Sequence, residues 1–248
     1  MRAITLLPGT DKNGTTEPFS RFILHRGEMV AIVGGTGSGK SRLIKDIEQL
    51  ALGDTVTGRR VLVDGEAIPM EQRMDYATRM IAHLGQNMRF VLDNGVEEFL
   101  KLHIACRHND DVLPAQVIEL ANKMTPECIC PDQNLTTLSG GQTRALMIAD
   151  VSLVCRSPVV LVDEIENAGV DKRAALDALT GADKIILVVT HDPHTALLCG
   201  RRIRMQNGAV TAVVDRTAGE ADLLTTLEEQ YVRQQHLQTL LRKGVALS

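Results

Sequence analysis

Apolar and polar positions fall into two patterns along this chain: short unbroken apolar runs, and longer stretches in which apolar residues return every three or four positions. Met29–Val33, Val159–Val162 and Ile185–Val189 contain no charged residue, the signature of strands buried on both faces of a parallel sheet. Met80–Leu84 reads as a further strand that ends at Gly85-Gln86-Asn87, a loop. Leu43, Ile44, Ile47, Leu50 and Ala51 form the stripe of a helix packed on the first run. Val96, Phe99, Leu100, His103 and Ile104 predict another helix, and Leu113 to Met124 a second, with Pro114 at its start and Pro126 beyond its end. Asp171 to Leu179 predicts a short helix between the last two strands, so strand, helix and strand alternate as a doubly wound α/β core requires.

The flanks are less regular. Ile4 to Ile23 is polar and turn-rich and predicts a small β region leading to the strand at Met29, while Gly58 to Gly65 predicts a short strand closed by Asp-Gly. Asn207-Gly208 within Ile203 to Val213 predicts a hairpin. Beyond Asp215, Leu223, Leu224, Leu227, Tyr231, Leu237, Leu240 and Leu241 make a loose stripe on a charged C-terminal helix or helix pair, expected to pack on the core.

Composition narrows the classes. A length of 248 residues supports a large buried core, and 44% apolar with 23% charged residues is ordinary globular usage. The net charge of −4 gives no footprint for nucleic acid. No run approaches the ~18 apolar residues of a membrane span, and the N-terminus lacks the pattern of a signal peptide, so a cytoplasmic chain is expected. Five scattered cysteines argue against a disulfide framework and fit reduced thiols; Cys128-Ile129-Cys130 is the one close pair, half of the four ligands that a tetrahedral metal site wants, and the sequence offers no second pair.

Four segments carry candidate chemistry. Gly34-Gly35-Thr36-Gly37-Ser38-Gly39-Lys40-Ser41 fits G-x-x-x-x-G-K-[ST] between a strand and a helix. Its glycines let backbone N–H groups converge at a helix N-terminus, which suits phosphate. Lys40 is placed for the β- and γ-phosphates and the Ser41 hydroxyl for Mg²⁺. Val159–Val162 delivers Asp163 and Glu164 at the carboxyl end of a strand, where Asp163 suits the Mg²⁺ shared with Ser41 and Glu164 suits polarising an attacking water. Val188-Val189-Thr190-His191 places His191 to meet a phosphate oxygen, and Gln86 lies where it can touch the metal or its water. Leu138-Ser139-Gly140-Gly141-Gln142 opens a helix and makes a second anion-binding helix start, about a hundred residues after the first.

In this order and spacing, over roughly residues 15–215, the motifs resemble those of the ATP-binding cassette (ABC) ATPase family. The resemblance implies one domain over residues 1–248: a P-loop NTPase core of α/β class with a mostly parallel sheet, an N-terminal antiparallel β region, a helical subdomain near 87–150 and a C-terminal helical extension near 216–248. It implies hydrolysis of ATP with Mg²⁺ in a head-to-tail pair with a second cassette, a homodimer or a paralogue, in which Ser139 to Gln142 of one subunit cap the γ-phosphate held by Lys40 of the other. Ala168-Gly169-Val170-Asp171 corresponds to the family's D-loop. The partner so driven is a separate membrane subunit of a transporter, which would hold the chain on the inner face of the membrane, or a soluble protein in cofactor or metal-cluster assembly or enzyme activation. Three departures stand out. No aromatic residue occupies the upstream position where the family stacks adenine, with Thr10 and Asp11 there and Phe19 and Phe22 nearer the strand; Ile165-Glu166-Asn167 follows Glu164 where Pro is usual; and Gln142-Thr143-Arg144-Ala145 is less basic in its continuation than many transporter cassettes.

Overall fold

A computed structural model describes residues 1–167 and 169–244, without the side chains of 76–79 and 167. The strands are β1 (Ala3–Leu7), β2 (Phe22–His25), β3 (Met29–Val33), β4 (Arg60–Val63), β5 (Ile81–Leu84), β6 (Val159–Asp163), β7 (Ile185–Val189), β8 (Arg201–Gln206) and β9 (Ala209–Asp215). The helices are α1 (Lys40–Glu48), α2 (Met70–Met80), α3 (Val96–Arg107), α4 (Pro114–Asn122), α5 (Gly140–Leu153), α6 (Lys172–Thr180), α7 (Pro193–Leu198) and α8 (Ala218–Arg242).

The unbroken apolar runs are strands whose alternate residues enter two different cores. Val159 and Leu161 of β6 face one core and Val160 and Val162 the other, while β7 splits Ile185, Leu187 and Val189 from Ile186 and Val188. They belong to a sheet ordered β5-β6-β7-β3-β8-β9, parallel except for the antiparallel β8–β9 hairpin. One face packs on α1 and on a separate antiparallel sheet, β2-β1-β4, through Ile4, Leu24, Leu43, Ile47 and Val61. The other packs on α5 and α6 and continues into α3 and α4, whose Leu100, Ile104, Val117 and Ile118 extend the same core. The class expected from the sequence is the one observed: α/β, with a mostly parallel sheet, an antiparallel β region and a helical portion between β5 and β6.

Two features differ from the sequence reading. The helix α2 lies where the sequence reading placed no element, and its Met70 and Met74 are exposed. The apolar stripe on the C-terminal segment does not pack into the core: the segment is the single helix α8, none of its residues is buried, and Leu223, Leu237 and Leu241 stand exposed. Polar contacts hold it instead, among them Arg202–Glu220 at 2.6 Å and His194–Glu228 at 2.6 Å. Among the described residues no helix is long and apolar enough to cross a membrane.

A buried ion cluster ties the β region to the sheet. The side chains of Arg59, Glu17 and Asp46 are all fully buried, with Arg59 Nη2 2.6 Å from Glu17 Oε1 and Nη1 2.9 Å from Asp46 Oδ2. Arg59 also donates to the Gly208 carbonyl at 2.7 Å, while Glu17 accepts from the amides of Gly9 and Val210. Four segments distant in sequence therefore meet on one guanidinium. The cluster holds the Asn207-Gly208 turn against the loop before α1, so closely that a Cβ on Gly39 would sit 2.7 Å from Gly208 Cα. Gly39 has φ 104°, a conformation that only glycine adopts without strain.

Removing one partner of such a cluster leaves buried charge uncompensated. Arg59→Met should lower unfolding stability by about 3–5 kcal/mol in urea titration; a loss below about 1 kcal/mol would contradict the role given to this cluster.

Candidate active site

Four loops leave the carboxyl edge of the parallel sheet, the place where open α/β sheets bind ligands. The loop after β3 runs from Gly34 to Gly39 into α1, with Gly35, Thr36 and Gly37 exposed. Lys40, buried at the helix start, donates from Nζ to the Gly34 carbonyl at 2.8 Å and to Gly35 at 3.2 Å, so its ammonium lies across the mouth of the loop. Ser41 is exposed on the next helical position. The buried Ser38 hydroxyl has no protein partner. Backbone amides, a helix N-terminus and one mobile cation therefore converge on a single exposed hollow, an arrangement suited to polyphosphate.

The loops after β5, β6 and β7 bring three more groups together. Gln86 donates from Nε2 to Glu164 Oε2 at 2.6 Å, and His191 Nε2 lies 3.7 Å from Glu164 Oε1. Glu164 reaches this position from a left-handed backbone, φ 47°, which costs on the order of 1–2 kcal/mol in a residue with a Cβ. Asp163, at the end of β6, is half-buried; burial and then the neighbouring Glu164 charge raise its carboxyl above the ordinary value, with His83, Arg144 and Lys40 opposing.

Ser139 caps α5: its hydroxyl accepts from the Gln142 amide at 3.2 Å, and its own amide donates to Gln142 Oε1 at 2.9 Å. Gln142 Nε2 is turned inward to the Cys128 carbonyl at 3.0 Å. That leaves Ser139 and Gly140 exposed at the helix start, with Gly141 partly covered. Among the described residues no hydrogen bond or ion pair joins Ser139, Gly140, Gly141 or Gln142 to the loop at 34–41. Asp171 caps α6 by accepting from the amides of Arg173 and Ala174, and Ala168 lies outside the described residues.

Residues 20–167 match the ABC transporter family. The chain belongs to that family. An ABC transporter ATP-binding protein of Methanocaldococcus jannaschii is 50% identical over 92% of this chain and 88% of its own length. The lipoprotein-releasing system ATP-binding protein LolD of Bordetella pertussis is 32% identical over 74% of this chain and 81% of its length. Among solved structures, cbiO1 of Clostridium perfringens, part of the ABC transporter complex cbiONQ, aligns with a TM-score of 0.65 at 22% identity, over 98% of this chain and all of that one, and shares the fold. As an ABC transporter ATP-binding chain this protein is an ATPase built on the P-loop fold.

Two side chains beside the ABC motifs escaped the sequence reading as site components. Arg144, almost fully buried in α5, donates to the carbonyls of Gly85, Leu84 (3.1 Å) and Asp163 (2.9 Å), fastening the helix that begins at Ser139 to the ends of β5 and β6. An arginine within the buried apolar run that follows Gln142 was its only signal. Glu166 accepts from the Thr190 hydroxyl at 2.8 Å and the His191 amide at 3.0 Å, joining the loop after β6 to the loop after β7. It gives no pattern in sequence, because its partners lie 24 and 25 residues further on, in the loop after the next strand.

The raised Asp163 carboxyl has a consequence for stability. An acid whose value is higher folded than unfolded is costly while ionised, and the cost fades as the pH falls through the raised value towards about 4. Asp163→Asn should therefore raise the melting temperature of the nucleotide-free protein near neutral pH, by about 1–3 °C, with the gain shrinking in acid. A lower melting temperature at neutral pH would contradict this electrostatic picture.

Proposed function

We propose that the chain hydrolyses ATP at the interface of a head-to-tail pair, with a second copy or a paralogue, and that the cycle drives a conformational change in a membrane transporter subunit. The observation that carries this reading is the Gln86–Glu164 hydrogen bond, because the segment that follows Gln86 is an exposed apolar surface. Val91 is 91% exposed, with Met88 at 45% and Leu92 at 43%. Just before Val91 and Leu92 in the chain, Gln86, Met88, Arg89 and Phe90 line one side of a groove of about 350 Å³ whose other side is Leu135, Thr136 and Leu138. A partner seated there would bear on the segment whose first side chain holds the Glu164 carboxylate.

Within the hydrolytic step Glu164 accepts the proton of the attacking water, and His191 and Gln86 set the position of that carboxylate. Lys40 supplies positive charge to the β- and γ-phosphates, joined by backbone amides from Gly34 to Gly39. Ser139 and Gly140, whose helix start is joined to the P-loop by no hydrogen bond or ion pair among the described residues, present an N-terminus to the nucleotide of the second copy. Gln142 supports that turn from within, and Gly141 and Asp171 lie where the two copies meet. The Ser41 hydroxyl and the Asp163 carboxylate are hard oxygen donors, and the charge that burial and Glu164 make costly on Asp163 is one a cation would offset. They would hold Mg²⁺, with Gln86 beside it; the ion would neutralise charge on the phosphate oxygens.

Purification of the tagged chain from its own cells in detergent should yield a multi-span membrane protein that stimulates its ATP hydrolysis. Val91→Glu should reduce that recovery and stimulation by at least about tenfold while leaving ATP binding by the isolated chain intact, as expected for loss of one buried apolar anchor. A soluble enzyme recovered instead, or a Val91→Glu chain coupled as well as the parent, would contradict the transporter reading.

A further inference from the structure

The helix α8 contributes no residue to either apolar core, yet one of its side chains reaches the loop that joins β6 to α6. Tyr231 donates its hydroxyl proton to Asp171 Oδ1 at 3.0 Å and accepts from the Lys172 amide at 3.2 Å. Its ring lies 4.6 Å from Lys172 Nζ and 5.1 Å from the His194 ring. Lys172 in turn reaches Asp192 Oδ2 at 2.5 Å, and Asp192 follows His191 and caps α7 through Thr195. The same loop is pressed on the start of α5. The Asp171 amide donates to the Met124 carbonyl at 2.8 Å, and a Cβ on Gly141 would sit 3.0 Å from the Gly169 carbonyl oxygen.

One phenol therefore touches the loop that abuts the signature glycine, and it stands one ion pair away from the segment carrying His191. An exposed surface helix needs no such contact for its own stability, since a tyrosine hydroxyl on α8 is equally well satisfied by water. Burial and the Asp171 carboxylate both hold the phenol in its protonated, donating form.

We propose that Tyr231 is a positioning residue: its hydroxyl, by fixing Asp171 and through Lys172 and Asp192 the His191 segment, sets the geometry in which two copies close on ATP. The proposal rests on the head-to-tail reading given above.

The test uses the full chain and separates closure from nucleotide binding. In a Glu164→Gln background, light scattering with ATP measures pair formation; in the parent background, steady-state hydrolysis and calorimetric binding of a non-hydrolysable ATP analogue are measured. Tyr231→Phe, which keeps the ring and loses the hydroxyl, should leave analogue affinity within about twofold and raise the dissociation constant of the ATP-dependent pair by about tenfold, with kcat falling while KM holds. Glu228→Ala, which removes the contacts to His194 and Arg173 but none to Asp171, separates the phenol's action from general anchoring of α8, and it should lower the melting temperature without that split. If Glu164→Gln alone forms no pair with ATP, the head-to-tail reading falls and this proposal with it. If it pairs and Tyr231→Phe pairs and turns over equally well, or if Glu228→Ala reproduces the Tyr231→Phe effect, the proposal alone is overturned.

Discussion

A parallel sheet buried on both faces has few places to put polar chemistry. In β6 and β7 every residue but Asp163 is buried, so functional side chains must emerge where the strands end. Register then does much of the positioning. Leu84 of β5 pairs with Val162 of β6, so Gln86 and Glu164, each two residues beyond, leave the edge at the same level and meet at 2.6 Å. Asp163 pairs with Val189 of β7, the Glu164 amide donates to the Val189 carbonyl at 2.9 Å, and His191 emerges two residues later beside Glu164.

That edge concentrates costs as well as chemistry. Asp163 and Glu164 are adjacent carboxylates in a partly dry place, and Glu164 also holds a left-handed backbone. The surroundings over-determine the arrangement: Arg144 grips the carbonyls of Leu84, Gly85 and Asp163, and Glu166 fastens the His191 amide to the same loop. Local strain of this kind persists where the neighbouring structure is well tied down, and it is concentrated at sites that do work. The chain with the glycine-rich loop at Gly34 to Ser41 also carries a second exposed helix start at Ser139, and Arg144 ties the helix that begins there to the strand ends.

Sequence patterning reached the sheet and the motifs because both are local. Unbroken runs marked β3, β6 and β7, Asn-Gly marked the β8–β9 turn, and the loop before α1 declared itself through its glycines and Lys40. Partners far apart in the chain were illegible. Arg59 reads as a polar strand residue, yet it is fully buried against Glu17, 42 residues earlier. Gln86 and Glu164 are 78 apart and Tyr231 and Asp171 are 60 apart, separations at which no periodicity carries information. The stripe on α8 misled for the opposite reason: apolar spacing was present, but Leu223, Leu237 and Leu241 are exposed, and Leu224, Leu227 and Leu240 are only partly covered and join neither core.

The central claim is that each hydrolytic site is assembled from the P-loop of one copy and the signature helix of another. Mixing a Lys40→Ala chain with a Ser139→Arg chain tests this most directly. Neither should hydrolyse ATP alone, since each spoils both sites of its own pair. In a random mixture about half of the pairs contain one of each and one of their two sites is intact, so about a quarter of the parent activity should return. A mixture as inactive as its components, or a Ser139→Arg chain active by itself, would contradict the account.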